Sequence, residues 1–152
     1  MATRRAIAFS ATAALLVGLV GCSGCGGGPS GVVVTPLPKA EQDLCSIAQA
    51  YKETFEQTGK APQSFDDIRK YLASFGNPDD MRVSPNDSQP YVVMWGADPT
   101  RGGGGPVRGM WSIVAHEQTG ANGKRSVADI RGLATTVTDE EFSRLTFIRK
   151  KK

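Results

Sequence analysis

Histidine is almost missing from this sequence, with one, His116, in 152 residues. That scarcity excludes most histidine-based catalysis at once. Glu117 follows it, and a helical His-Glu-x-x-His zinc site needs a second histidine where Gly120 stands. No Gly-x-Ser-x-Gly elbow presents a serine to His116 as base. A Cys45–His116 dyad would put its nucleophile on an amphipathic helix with nothing to activate the thiol. Cysteine is equally scarce, at three. The only Cys-x-x-Cys spacing is Cys22 to Cys25, so no zinc site is expected. The sequence calls for no cofactor. Charge of one sign is also lacking. The formal net charge of +3 arises at the ends, where Arg4 and Arg5 precede the apolar run and Arg149-Lys150-Lys151-Lys152 closes the chain. The middle is mixed and slightly acidic. No basic stripe suited to a phosphate backbone results, and nucleic-acid binding is not expected.

Long apolar runs are missing too. The apolar run near the start, Ala6–Gly21, has 16 residues, short of the ~20 that span a bilayer as a helix. Two arginines, a short apolar run and small residues at its end are the parts of a secretory signal. Leu19-Val20-Gly21-Cys22 resembles the lipobox of bacterial lipoproteins. That resemblance implies diacylglycerol on the Cys22 thiol and cleavage before it, hence an exported protein anchored in a bacterial membrane. Two or three acyl chains hold firmly, at ~0.8 kcal/mol per buried CH₂. An ordinary cleaved signal, with Cys22 as a disulfide partner, is the simpler alternative. With Cys22 acylated, two readings of the remaining thiols stand side by side. Cys25 and Cys45 pair in an oxidising compartment, or Cys45 packs beside its helix while Cys25 stays on an exposed tether.

The organisation expected is therefore a signal peptide over 1–21, a Gly/Pro-rich tether over 22–39, one domain over 40–148 and a basic tail over 149–152. The 40–148 segment is near the usual size for one core. From Ala40, Leu44, Ile47, Ala48, Tyr51 and Phe55 recur at helical spacing, and Gly59 and Pro62 stop the helix. Ser64-Phe65-Asp66-Asp67 reads as a capping box for a second helix with Ile68, Tyr71, Leu72 and Phe75 inward. Gly76 and Asn77-Pro78 end that helix. Met81 to Pro90 reads as turn and loop. Four strands follow: Tyr91–Trp95; Gly109–His116 with Trp111, Ile113 and Ala115 on one face; Arg125–Ile130; and Leu133–Val137. Asn122-Gly123 marks a hairpin. Thr138-Asp139-Glu140-Glu141 starts a short helix that buries Phe142 and Leu145. The fold class expected is α+β, an N-terminal helical hairpin packed on a small antiparallel meander, with a short C-terminal helix.

Among candidate sites, Arg101, Gly102, Gly103, Gly104, Gly105 and Arg108 stand out. No Lys-Ser or Lys-Thr follows the glycines, so they are no P-loop. They read instead as a mobile loop between strands and as a binding element. Asp79, Asp80, Asn86 and Asp87 offer oxygen ligands for calcium, but their spacing matches no EF-hand, and turn chemistry explains them as well. Trp95 and Trp111 read as core or cross-strand packing.

The segments AQAYKETFEQTGKAPQSFDDIRKYL, YVVMWG and SIVAHEQTGANGKRSVADIRGLATTVTDEEFSRL resemble the exported domains of small planctomycete-type proteins. Those in turn resemble the globular heads of type II secretion pseudopilins. The likeness implies a helix packed on a small antiparallel sheet. Pseudopilins assemble through a long apolar helix after a Gly-Phe processing site, and here a lipobox and tether replace it. The function expected is a non-enzymatic, lipid-anchored envelope protein that binds another envelope protein through the glycine loop. The alternatives are a ligand-binding or enzymatic envelope protein using that loop and His116, and a structural spacer.

Overall fold

The computed structural model describes residues 36–149. Cys22, Cys25, the signal, most of the tether and Lys150–Lys152 lie outside them. Among the described residues no helix is long and apolar enough to cross a membrane.

Helix α1, Lys39–Thr58, begins and ends where its sequence punctuation lies. Gly59 adopts the left-handed conformation (φ 66°), and its N–H donates to the Phe55 carbonyl at 2.8 Å, closing the last turn. Helix α2, Phe65–Leu72, is capped by Asp67, whose carboxylate accepts from the Gln63 and Ser64 N–H groups at 2.7 and 3.0 Å. Ile68 and Leu72 are buried. Phe75, expected inward, is 42% exposed. The helix stops at Leu72, before Gly76, so Phe75 lies on the following turn and off the helical face.

Four strands form an antiparallel meander in sequence order: β1 Val92–Val93, β2 Ile113–His116, β3 Lys124–Asp129 and β4 Ala134–Thr138. Strand β1 is shorter than the Tyr91–Trp95 run. The chain turns at Met94–Ala97, where Gly96 (φ 74°) donates its N–H to the Pro62 carbonyl at 2.7 Å. Tyr51 of α1 fastens that turn, its hydroxyl donating to the Ala97 carbonyl at 2.7 Å and accepting from the Ala97 N–H at 3.0 Å. Burial pushes the Tyr51 phenol up to about 12.

The expected Gly109–His116 strand needs a larger correction. Pairing with β3 shifts by one residue between Ile113 and Ala115. This bulge breaks the inside-outside alternation. Val114 and Ala115 join the core beneath α1, whereas Ile113 joins the core on the other face. Trp111, Ile113 and Ala115 therefore do not share a face. Between β2 and β3, Asn122 (φ 54°) and Gly123 (φ 68°) make the expected tight turn.

The sheet is thus a central layer with two unequal covers. Helix α1 lies across β2, β3 and β4, and α2 packs on α1. On the opposite face Met110, Ile113, Val127 and Val137 meet half-buried Phe142, Leu145 and Phe147. Phe142 belongs to the short helix α3, Asp139–Ser143, opened by the Thr138–Glu141 capping box. Beyond α3 the chain returns to β2. Ile113 donates to the Thr146 carbonyl at 2.7 Å and accepts from the Ile148 N–H at 3.1 Å, a parallel bridge beside Phe147 that no sequence pattern announced.

Candidate functional site

The glycine segment is tied down rather than mobile. Asp98 opens a 3₁₀ turn at Pro99–Arg101, accepting from the Thr100 N–H at 2.9 Å. Gly102 lies so close to Ile130 that an added Cβ would sit 2.0 Å from its Cδ1. A methyl group there would have to push aside the tip of the Ile130 side chain. Gly103 donates its N–H to Ser112 Oγ at 3.1 Å, Gly104 pairs with Trp111 as an isolated bridge, and Gly105 donates to the Met110 carbonyl at 2.6 Å. Arg108 sits in the left-handed region (φ 48°) and chelates Glu141 at 2.9 and 3.2 Å. The Thr138 N–H, and then Arg108, hold the Glu141 carboxyl below the usual carboxylate range. Of the two loop arginines, Arg108 is committed to α3 and Arg101 stands beside Asp98 at 3.5 Å.

This small ribbon presents Trp111. Rather than serving as core, it is 39% exposed. Its backbone N–H donates to Asp129 Oδ2 at 3.1 Å, and Asp129 also accepts from Arg131 Nε and Nη2 at 3.0 and 2.7 Å. Arg131 in turn lies over the indole, 5.4 Å from the ring centroid. One buried carboxylate thereby holds both the backbone at Trp111 and the cation stacked on its indole.

Beside Trp111 runs a groove of about 450 Å³ lined by Phe55, Pro99, Ile130 and the indole, with Lys52, Glu56 and Arg131 among its polar side chains. The glycine ribbon also borders a second, more polar groove of about 320 Å³, lined by Arg101, Gly103, Gly104, Ser112, Thr146 and Arg149 among others.

His116 takes no part in the first groove. It is 9% exposed, and its Nδ1 donates to the Glu117 carbonyl at 2.6 Å. Its ring meets Phe142 and Phe147 edge-on at 4.9 and 5.6 Å. Burial, with Arg125 nearby, pushes its pKa below the ordinary histidine value. The unfolded ring titrates near pH ~6.5, so below that pH the unfolded chain binds more protons. His116's contribution to stability is complete above that value and is lost as pH falls toward the lower native pKa. Urea unfolding from about pH 7 to pH 5 should show a smaller loss for His116→Asn than for the natural chain.

Cys45 is half-buried on α1, with its thiol pushed up by burial and near Ala134. The sheet separates it from His116, and the two form no dyad. Cys25, its candidate disulfide partner, lies outside the described residues.

The acidic loop residues go separate ways. Asp79 pairs with Arg69 at 2.5 Å. Asp87 accepts from the Thr119 and Gly120 N–H groups at 2.9 and 2.8 Å, and Asn86 donates to Glu117 at 2.8 Å. Among the described residues no cluster of three or more His, Cys, Asp or Glu is placed to hold a metal ion. Trp95 behaves as packing, stacked 6.1 Å from Tyr51.

Sequence reasoning missed the buried carboxylates Asp129 and Glu117 and the exposure of Trp111. The only available signal was Asp129 preceding Arg131-Gly132, a place where aspartate organises turns. Compared with protein families, curated proteins and solved structures, the chain matches none.

Proposed function

We propose that this is a non-enzymatic bacterial envelope lipoprotein, anchored through acylated Cys22, whose domain binds another envelope protein. The observation that carries the binding reading is Trp111, exposed over an apolar groove, with its backbone and the Arg131 stacked on it both held by Asp129. Tryptophan and arginine are the side chains that most often anchor interfaces, and pre-organising both reduces the entropy lost on binding. Lys52 is paired with Glu56 at 3.7 Å and Arg131 with Asp129 at 2.7 Å, so the groove favours a partner segment with an apolar anchor rather than one of a single charge. A ligand-binding or enzymatic role through His116 has less support, because that imidazole packs among phenylalanines away from the first groove.

The test is photo-crosslinking in cells, with a crosslinking residue at position 111 and a control at Phe75, in chains with and without Cys22→Ala. A membrane-associated adduct specific to position 111, reduced when Cys22 is replaced, is expected. The captured protein should then bind Trp111→Ala at least about 30-fold more weakly, as loss of a central aromatic anchor requires. Equal adducts from both positions would remove the groove from the proposal. An unchanged membrane fraction for Cys22→Ala would remove the anchor.

A further inference from the structure

Strand β4 forms one edge of the meander. It pairs with β3 in a single unbroken register, from Lys124–Thr138 to Ala128–Ala134, and its sequence, Ala-Thr-Thr-Val-Thr, holds no lysine or proline. Bulges, lysines and prolines are the devices that usually blunt an exposed edge. The ladder decides which backbone groups face outward. Asp129 donates its N–H to the Leu133 carbonyl, and Asp139 donates to Gly123, so the odd-numbered residues of this segment bond to β3. The even-numbered ones face away. Thr138 is already used, its N–H donating to Glu141 Oε2 at 2.9 Å. The Ala134 and Thr136 N–H groups have no acceptor among the described residues. The Ala134 carbonyl meets the Cys45 thiol and keeps a second lone pair. Beyond α3 the chain runs back to Ile113 of β2, away from this edge.

We propose that two copies of this chain pair along β4, antiparallel about a two-fold axis at Thr135, and so join their sheets. With that axis Ala134 lies opposite the partner's Thr136, and each such pair exchanges two N–H···O bonds. Side chains fit the same register. Leu133 is the most exposed large apolar side chain among the described residues, at 57%. It shares the face of Thr135 and Val137, because strand side chains alternate, and it comes opposite the partner's Val137. Thr135 meets its own counterpart, a favourable cross-strand pair. Charge selects the orientation. Arg131 precedes the strand and Asp139-Glu140 follow it, so antiparallel pairing brings each basic end to an acidic one, whereas parallel pairing would oppose like charges. Arg131 binds Asp129 through Nε and Nη2, which leaves Nη1, and Glu140 is exposed. The contact is isologous and closes on itself as a dimer. It is independent of the Trp111 reading.

The experiment uses the full chain in detergent, with its three cysteines replaced by Ser and one new cysteine added. Thr135 and its counterpart form a non-hydrogen-bonded pair, with Cα atoms ~4.5 Å apart, within the range a disulfide bridges. Copper–phenanthroline oxidation should therefore link Thr135→Cys chains much faster than Ser74→Cys chains, whose cysteine lies just beyond α2. Adding Thr136→Pro removes two of the four inter-strand bonds without touching the β3–β4 ladder, and should slow linking at position 135 roughly 30-fold. Leu133→Lys, at an exposed position, should slow it roughly tenfold. Urea midpoints report whether each variant still folds, and Leu133→Lys carries the test should Thr136→Pro not. Equal rates at 74 and 135 would mean random collision and overturn the proposal. A rate at 135 indifferent to both edge variants would overturn it too. Linking abolished by Trp111→Ala but not by the edge variants would place the contact in the Trp111 groove and remove β4 from it.

Discussion

Asp129→Ala is expected to lower the unfolding free energy by about 2–4 kcal/mol, the cost of stranding several backbone donors around one buried acceptor. The side chain is 0% exposed, and both of its oxygens are in use. Oδ1 accepts from the Arg131 and Leu133 N–H groups at 2.9 and 3.3 Å, which shapes the β3–β4 turn. Oδ2 accepts from the Trp111 N–H and the Arg131 guanidinium. Alanine would leave three backbone donors and a cation without their acceptor in one place. Asparagine would restore little, because its amide nitrogen must replace one of the two accepting oxygens and face N–H donors. Urea unfolding gives the stability change, and tryptophan fluorescence adds a separate reading. In Asp129→Asn the Trp111 emission should report a less fixed ring even where the fold survives. A loss below about 1 kcal/mol would show that water replaces the carboxylate readily, and the account of Asp129 as the anchor of the Trp111 backbone and of Arg131 would fall with it.

The same residue shows where sequence and structure part. Helices α1 and α2 were legible because their apolar positions recur at helical spacing and because Gly59 and the Ser64–Asp67 pair mark their ends. The Asn122-Gly123 turn and the Thr138 box were legible for the same reason, since local chemistry decides them. Strand β2 was not. Ile113, Val114, Ala115 and His116 are all buried, one set under α1 and the other against Phe142 and Phe147, so no polar side chain marks alternation. A bulge inside such a run leaves no trace in composition.

The candidate site was half legible. The glycines drew attention to this ribbon, but their composition suggested mobility. What holds them is long-range: Gly102 against Ile130, Gly103 with Ser112 and Gly104 with Trp111. The exposure of Trp111 follows from the path of that ribbon, and an indole in an apparently β-rich run reads as core. Arg149 beside Arg101 depends on a parallel return of the chain to β2, which only tertiary structure supplies.

Glu117→Ala is the second large loss expected, about 2–4 kcal/mol, because removing one acceptor strands several buried donors. Next to the only histidine, Glu117 looks in sequence like half of a catalytic pair. In the structure it is 1% exposed and points to different work. Its Oε2 accepts from the Ser126 N–H at 2.6 Å, while Oε1 accepts from Asn86 at 2.8 Å and from the Ser84 hydroxyl. Its own N–H donates to the Ser126 carbonyl at 2.9 Å, extending the β2–β3 pairing past His116. The side chain thus joins that end of the sheet to the hairpin closed by the antiparallel Val83–Pro90 bridge, where Asp87 adds the Thr119 and Gly120 contacts. Glu117→Gln keeps one oxygen and offers an amide donor where an acceptor is needed, so it should fall between the natural chain and alanine. Hydrogen exchange localises the effect. Ser84, Ser88 and Ser126 amides should lose protection in Glu117→Ala before those of α1, because only the former depend on this carboxylate. Uniform loss of protection, with α1 opening alongside the hairpin, would mean that Glu117 supports the global core rather than this one junction.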